Sequence, residues 1–400
     1  MLFSFLLTRS MIVLNRCMNN IFELYPQGYW QSGNEKFINK HQALVYGAKK
    51  NQDVHYNFFN NVWEKFDRTQ LGKFSLQELY KNRAQQLRDK YDYLILYFSG
   101  GADSYNVLRS FLDNGIKLDE VCVKWCNDTL TANRKIYTPN EKEMSATNYL
   151  SEWDYAIKPV LEWLSINHPE VKIEIVDWFK DRDYKSIEKA FTIVNHWHDV
   201  EVNSLAIWSP SEEALCEKGF TVGSIYGVDK PAIFNTNSQW FMYFPDGGTA
   251  MGTPNPINIH GTEYFYWAHE MPILTFEMAF RIIEQMKIDK KLLQYVVTDK
   301  NRTDSAFLNI SWQVLQKKTR HILYDNWTDR FQCLKPTTPD RSDKHHWIYT
   351  NSELTNYKEL FNDLRNNYMK QVSDGYYCLI DEHINMTYRT IPSKKYLVCN

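Results

Sequence analysis

Residues 93–104 read Tyr-Leu-Ile-Leu-Tyr-Phe-Ser-Gly-Gly-Ala-Asp-Ser, and the reading of this stretch decides the fold. Its first half, Tyr93 to Phe98, is a continuous apolar run of strand length, the pattern of a strand buried on both faces. Its second half turns small and polar, and a helix is expected from about Ser104 to Leu112, stopped by Asn114-Gly115. A glycine-rich loop between a buried strand and a helix is a place where α/β folds bind phosphate. Gly100 and Gly101 have no Cβ, so the backbone can turn sharply and bring its N–H groups to phosphate oxygens. The hydroxyls of Ser99 and Ser104 can donate to the same oxygens, and the start of the helix adds partial positive charge. Asp103 would repel a phosphate. Its chemistry suits a Mg²⁺ ligand, direct or through water, or a helix cap.

Outward from this loop, short apolar runs alternate with helical patterns. Val121 to Trp125 and Val171 to Val176 predict strands, the latter ending at Asp177 on the rim of the sheet. Between them Met144 to Ile166 predicts a long helix kinked at Pro159. Ser209-Pro210-Ser211-Glu212 opens a short helix that Gly219 ends, with Glu212 and Glu213 serving the helix start. Thr221 to Tyr226 is the next strand, followed by Gly227-Val228-Asp229-Lys230-Pro231. Alternation of this kind implies a parallel twisted sheet with helices on both faces, an α/β fold. Upstream, residues 35–90 read as mainly helical, with the capping box Ser75 to Glu78 opening a helix to about Tyr91. Arg83, Arg88 and Lys90 on that helix read as a solvated face. Downstream, Ala232 to Phe244 suggests a hairpin closed around Asn235 to Asn237. Thr275–Ile288, Ala306–Leu323 and Leu354–Met369 suggest helices. The expected division is a helical region over 1–90, a nucleotide domain over 91–235, and a mostly helical region over 236–400 that carries acceptor specificity.

A formal charge of −2 gives no electrostatic case for binding bulk nucleic acid. The seven cysteines form no Cys-x-x-Cys pair, which argues against a zinc ribbon or redox dithiol and fits a reducing, cytoplasmic setting. The apolar blocks of residues 1–20 are split by Arg9 and are too short to span a bilayer, and no membrane association is expected. His196 and His198, and the pair His345-His346, lack a nearby third ligand and read as surface or core residues. His269-Glu270 reads as a polar turn before Pro272.

Ser99-Gly100-Gly101-Ala102-Asp103-Ser104 after a buried strand resembles the signature of the PP-loop ATP pyrophosphatases, or adenine nucleotide α-hydrolase-like proteins. This superfamily includes the synthetase domain of asparagine synthetase, argininosuccinate, GMP and NAD synthetases, and tRNA-modifying enzymes. The resemblance covers about residues 91–235. It implies that the backbone of Ser99 through Ser104, Ala102 included, holds the pyrophosphate part of ATP. It also implies an enzyme that cleaves Mg²⁺-bound ATP to AMP and PPi, activating a substrate oxygen for attack by a nitrogen or sulfur nucleophile. Gly227-Val228-Asp229-Lys230 resembles the second loop of the family, so Gly227 is expected at the nucleotide and Asp229 beside Asp103 at Mg²⁺. By its charge, Lys230 suits the β- and γ-phosphates or the departing PPi. The family seats adenine at the end of the second strand, where Trp125 could stack. The acceptor implied is a small molecule or a tRNA base, with ammonia or sulfur from a separate donor protein. The chain is also similar to PP-loop proteins encoded by large tailed phages, which carry an aromatic run like Tyr264 to Trp267. Two other readings are a phosphoadenylyl-sulfate reductase-like oxidoreductase, which would need Cys399 as its thiol, and a non-catalytic ATP-binding protein.

Overall fold

The computed structural model describes residues 28–37, 50–125, 153–177, 208–227, 230–244, 257–298, 318–324 and 393–400, with isolated positions at 43, 46, 47, 300 and 315. In chain order its elements begin with β1 (Tyr29–Ser32), β2 (Glu35–Phe37), β3 (Val54–Asn57), α1 (Asn60–Glu64) and α2 (Leu76–Lys90). The central run is β4 (Tyr93–Tyr97), α3 (Ala102–Leu112), β5 (Glu120–Trp125), α4 (Lys158–Asn167), β6 (Lys172–Asp177), α5 (Pro210–Glu217) and β7 (Val222–Tyr226). Then come β8 (Ala232–Thr236), β9 (Gln239–Tyr243), β10 (Thr262–Tyr264), α6 (Pro272–Ile288), β11 (Val297–Thr298) and β12 (Tyr396–Cys399).

The central sheet is parallel throughout, in the order β10-β7-β4-β5-β6. Both of its faces are covered. Leu94 and Leu96 of β4, with Val121 and Val123 of β5, join the large core that includes α2, α3 and α4. The alternate residues Ile95, Tyr97 and Cys122 pack on the opposite face with Val176, Val222 and the α5 residues Leu215 and Cys216. This is an α/β, Rossmann-like arrangement, and it is why the run from Tyr93 to Phe98 shows no polar alternation. Among the described residues no helix is long and apolar enough to cross a membrane.

Several local expectations stand. Ser75 accepts from the Glu78 N–H at 3.2 Å while the Glu78 carboxylate accepts from the Ser75 N–H at 2.8 Å, a complete capping box. The hairpin of β8 and β9 forms one residue later than expected. Asn237 and Ser238, at φ +49° and +65°, supply the two left-handed positions of its turn. A π-helical turn at 153–157 precedes Pro159, which lies in the first turn of α4; the missing N–H of proline is where the regular ladder lapses.

Other expectations are corrected. Tyr29–Ser32, Glu35–Phe37 and Val54–Asn57 form a three-stranded antiparallel sheet, β2-β1-β3, in a region expected to be helical; the described positions 43, 46, 47 and 50 are helical. Gly33, at φ +58° in the two-residue turn Gly33-Asn34, closes the β1–β2 hairpin, and aromatic Trp30 and Tyr56 face each other across β1 and β3. Beyond residue 236 the described residues hold strands as well as helices. A four-stranded sheet, β11-β8-β9-β12, accompanies α6, and β10 joins the central sheet beside β7, so the α/β unit extends past 235. Of Arg83, Arg88 and Lys90, only Lys90 is exposed, and all three are ion-paired. Arg83 is buried and paired with Glu263 and Glu270, Lys90 reaches the same two carboxylates, and Arg88 pairs with Asp119. Glu212 lies with Glu213 in the first turn of α5 as expected, and it does more than serve the helix start: it is fully buried, accepts from the Tyr97 hydroxyl, and accepts from Asn258 Nδ2 at 2.9 Å. The expected helix at 354–369, the His196–His198 and His345-His346 pairs, Cys126 and Asp229 lie outside the described residues.

Candidate functional site

Strand order fixes where a ligand can enter. The chain runs from β4 outward through β5 to β6, then returns to lay β7 and β10 on the other side of β4. Order therefore reverses between β4 and β7, and the loops leaving their carboxyl ends diverge there into a crevice outside the sheet. The loop after β4 is Ser99 to Ser104. The loop after β7 begins at Gly227. The two segments singled out in the sequence for phosphate chemistry thus meet at the switch point.

The Ser99–Ser104 loop is tied to itself. Ser104 Oγ donates to the Gly101 carbonyl at 3.1 Å, accepts from the Ser99 N–H at 3.3 Å and lies 3.2 Å from Ser99 Oγ, which accepts from the Gly101 N–H at 3.3 Å. Gly100 sits at φ +74°, and a Cβ there would meet Ile157 Cγ1 at 2.6 Å, so both conformation and packing demand glycine. Gly101 differs. It caps α3 with extended backbone at φ −75°, and a Cβ there would find only Ser99 Oγ, at 3.4 Å. The fold alone would accept alanine at Gly101. The space over its backbone is a cradle that a Cβ would fill, beside the first N–H groups of α3, which have no acceptor within the helix.

Gly227 serves the same loop from behind. A Cβ there would lie 2.7 Å from the Ser104 nitrogen and 2.9 Å from the Asp103 carbonyl carbon. Its described role is to let the β7 loop approach the start of α3.

Asp103 and Lys230 are brought together. Lys230 is fully buried and donates to Asp103 Oδ1, which also accepts from the Tyr324 hydroxyl; Lys230 Nζ stands 3.3 Å from that hydroxyl oxygen. The Asp103 backbone carbonyl accepts from the Tyr266 hydroxyl at 2.9 Å, and Asn106 Nδ2 donates to Tyr266 at 3.0 Å. Burial alone would push the Asp103 carboxyl up. The Lys230 charge and hydrogen bond, then the Tyr324 hydrogen bond and the charge of Arg320, outweigh it and hold the group below the ordinary carboxylate range. Burial, with the Asp103 charge beside it, pushes the Tyr324 phenol far up, so it remains a neutral donor. The segment carrying Tyr324 is anchored by Tyr80, whose hydroxyl donates to the Leu323 carbonyl at 2.9 Å. Tyr266, Arg320 and Tyr324 escaped the sequence reading. Only the aromatic run Tyr264 to Trp267 was a signal, and spacing does not tie it to residue 103.

Both donors take Oδ1 of Asp103, and no described residue bonds Oδ2. Mg²⁺ is commonly held by one or two carboxylates together with substrate phosphates, and a carboxylate oxygen that no described residue bonds, beside the space over Gly101, fits that ion. Among the described residues no three His, Cys, Asp or Glu side chains gather as a metal cluster. Trp125 ends β5, level with Asp177 of β6, and is buried with its ring 5.1 Å from Trp153, which makes it a wall of the core at the sheet edge. His269 is pushed down to about 4 by burial and packs on Phe59, while Glu270 pairs with Lys90 and Arg83; together they form a structural turn. Cys399 ends β12 of the other sheet, 3.8 Å from Lys287, and burial raises its thiol. Compared with protein-family models, curated proteins and solved structures, the chain matches none.

Proposed function

We propose that the protein binds Mg²⁺-ATP at the Ser99–Ser104 loop and cleaves it between the α- and β-phosphates. A substrate oxygen attacks the α-phosphorus, PPi leaves, and a nitrogen or sulfur nucleophile then displaces AMP from the adenylated substrate. The observation that carries this reading is Gly101, a glycine that the fold does not need, set over open space at the switch point and at the start of α3. The pairing of Asp103 with Lys230 supports it further, because an acid next to a phosphate cradle needs a neutralising partner. In this reading the backbone of residues 99–104 with the Ser99 and Ser104 hydroxyls holds phosphate. Asp103 Oδ2 takes Mg²⁺, which supplies charge neutralisation at the phosphates when bound, and Lys230 stabilises PPi. Catalysis is then mostly positioning and electrostatics. The acceptor class, the donor protein and a cytoplasmic setting remain part of the proposal. A non-catalytic nucleotide-binding role is the second reading, favoured by the engagement of Asp103 Oδ1 with both Lys230 and Tyr324.

The test is incubation with Mg²⁺ and ATP labelled at the α-phosphate, with pooled small metabolites and with tRNA. Release of AMP together with PPi, lost in a folded Asp103→Asn variant, is expected. ADP as the sole product would refute α–β cleavage, and tight ATP binding without turnover in either pool would establish the second reading.

A further inference from the structure

Among the described residues, cations in and around the central sheet are paired with acids, Lys172 at an exposed position. Arg83 meets Glu263 and Glu270, Lys230 meets Asp103, Arg88 meets Asp119, and Lys172 meets Glu120 and Glu174. Lys124 has no hydrogen bond and no ion pair among the described residues. Its half-buried ammonium stands 4.9 Å over the ring of Tyr97 and 5.9 Å from that of Trp208. Tyr97 in turn stacks on Tyr226, with centroids 4.8 Å apart and planes within 6°. Glu212, the acid whose charge acts on Lys124, is occupied by the Tyr97 hydroxyl and Asn258. Leaving a cation here with ring faces alone for company is costly, and burial accordingly pulls the Lys124 ammonium below its ordinary range.

Its place in the sheet gives this meaning. Tyr97 pairs with Cys122, and the Phe98 N–H donates to the Cys122 carbonyl at 2.8 Å. Continuing that register by two residues sets Lys124 level with Ser99, the first residue of the loop, one strand away at about 4.8 Å. Lys124 points to the same face of the sheet as Tyr97 and therefore stands at the carboxyl edge of β5, next to the crevice.

We infer that Lys124 is a ligand-binding residue that receives an oxyanion of the molecule entering at this edge, with the rings of Tyr97 and Trp208 as its supports. The oxyanion is a phosphate of the nucleotide or a carboxylate of the acceptor. The inference rests on the proposed function only for the entry of a ligand at this crevice.

The experiment compares the protein with Lys124→Met, which keeps the apolar stem on Tyr97, and with Lys124→Arg, which restores the charge. Equilibrium binding of adenosine, ATP and pyrophosphate is measured, and of aspartate with and without ATP. A charge-assisted hydrogen bond predicts a loss of about tenfold to a hundredfold in the Met variant, recovered in the Arg variant, with adenosine unaffected. Loss confined to ATP and pyrophosphate assigns the phosphate; loss confined to aspartate assigns the acceptor. Equal binding of all these anions by a folded Met variant, or no anion bound by the native protein, overturns the inference. Binding of both ATP and aspartate left untouched by Lys124→Met sinks the inference and spares the proposed function. A Lys124-dependent anion bound without any contribution from adenosine does the reverse.

Discussion

Replacing Lys230 by Met removes the cation of the pair and leaves Asp103 as a charge without its main partner. Lys230 is 1% exposed at its side chain and Asp103 14%, so solvent can offer the stranded carboxylate little help. Breaking a buried pair from one side costs about 3–5 kcal/mol; the lower end applies, because Tyr324 still donates to Oδ1 and Asp103 is not fully sealed. A loss of about 3 kcal/mol corresponds to a fall in Tm of roughly 6 °C or more for a cooperative unit of some 200 residues. The double variant Lys230→Met, Asp103→Asn removes both charges and should recover a large part of that loss. The pH response has a definite sign. In the native protein the lowered Asp103 pKa contributes stability that is full above the ordinary carboxylate range and is lost as pH falls through the lowered value. In the Met variant the burial that Lys230 had outweighed dominates, the Asp103 pKa rises, and the carboxyl folds as a neutral acid once pH drops below it. The gap between native and variant protein should therefore narrow on acidification. Differential scanning calorimetry of the four proteins between pH 4 and 8 (chosen about the carboxylate range) measures this. A Lys230→Met variant within about 0.5 kcal/mol of the native protein, the scatter of ordinary surface substitutions, would refute the buried pair.

The two loop glycines separate stability from binding. Gly100→Ala places a side chain at φ +74° against Ile157 and should cost about 1–2 kcal/mol or more, read as a lowered Tm. Gly101→Ala should leave Tm within about 1 °C, corresponding to a few tenths of a kcal/mol, yet weaken ATP binding at least tenfold; unchanged affinity would remove the cradle. His269, neutral in the fold with a pKa of about 4, must take up a proton when the chain unfolds below its ordinary value. Its contribution to stability is full above pH 6.5 and is lost as pH falls from there towards 4, so a His269→Phe variant should lose less stability than the native protein between pH 7 and 5.

The α/β core was legible because its signals are local. An unbroken apolar run, two glycines and a helix start decide β4, the loop and α3 within twenty residues, and the capping box at Ser75 does the same for α2. The helical reading of residues 35–90 failed at Glu35–Phe37 and Val54–Asn57 because short strands carry little periodicity, whereas the described positions 43, 46, 47 and 50 between them are helical. Gly33-Asn34 between Tyr29–Ser32 and Glu35–Phe37 was the available sign of the hairpin. The fifth strand escaped for a different reason. Thr262–Tyr264 is three residues long and joins β7 after an excursion through another sheet, so only tertiary pairing reveals it. Charges were the least legible of all. Arg83 and Glu263 lie 180 positions apart, and nothing in a helical pattern of Arg83, Arg88 and Lys90 distinguishes a solvated face from a buried network.

Asp103 shows how the two levels of reading meet. From sequence, an acid inside a phosphate loop is a contradiction that a metal resolves. In the folded protein Lys230 and Tyr324 resolve part of it first, because they hold Oδ1 and cancel the charge that would repel a phosphate next to Gly101. The two resolutions are compatible, since no described residue bonds Oδ2, and they differ in order of events. If neutralisation by Lys230 comes first, nucleotide without metal should bind the native protein and should bind Lys230→Met at least tenfold more weakly, the effect of a repelling carboxylate a few ångströms from an anion. If metal must come first, binding of ATP in excess chelator should be negligible in both proteins, and the pair would have to open before the site could fill. Titration of ATP into the two proteins with and without Mg²⁺ separates these orders. The buried position of Lys230, bonded to Asp103 and Tyr324, favours the first.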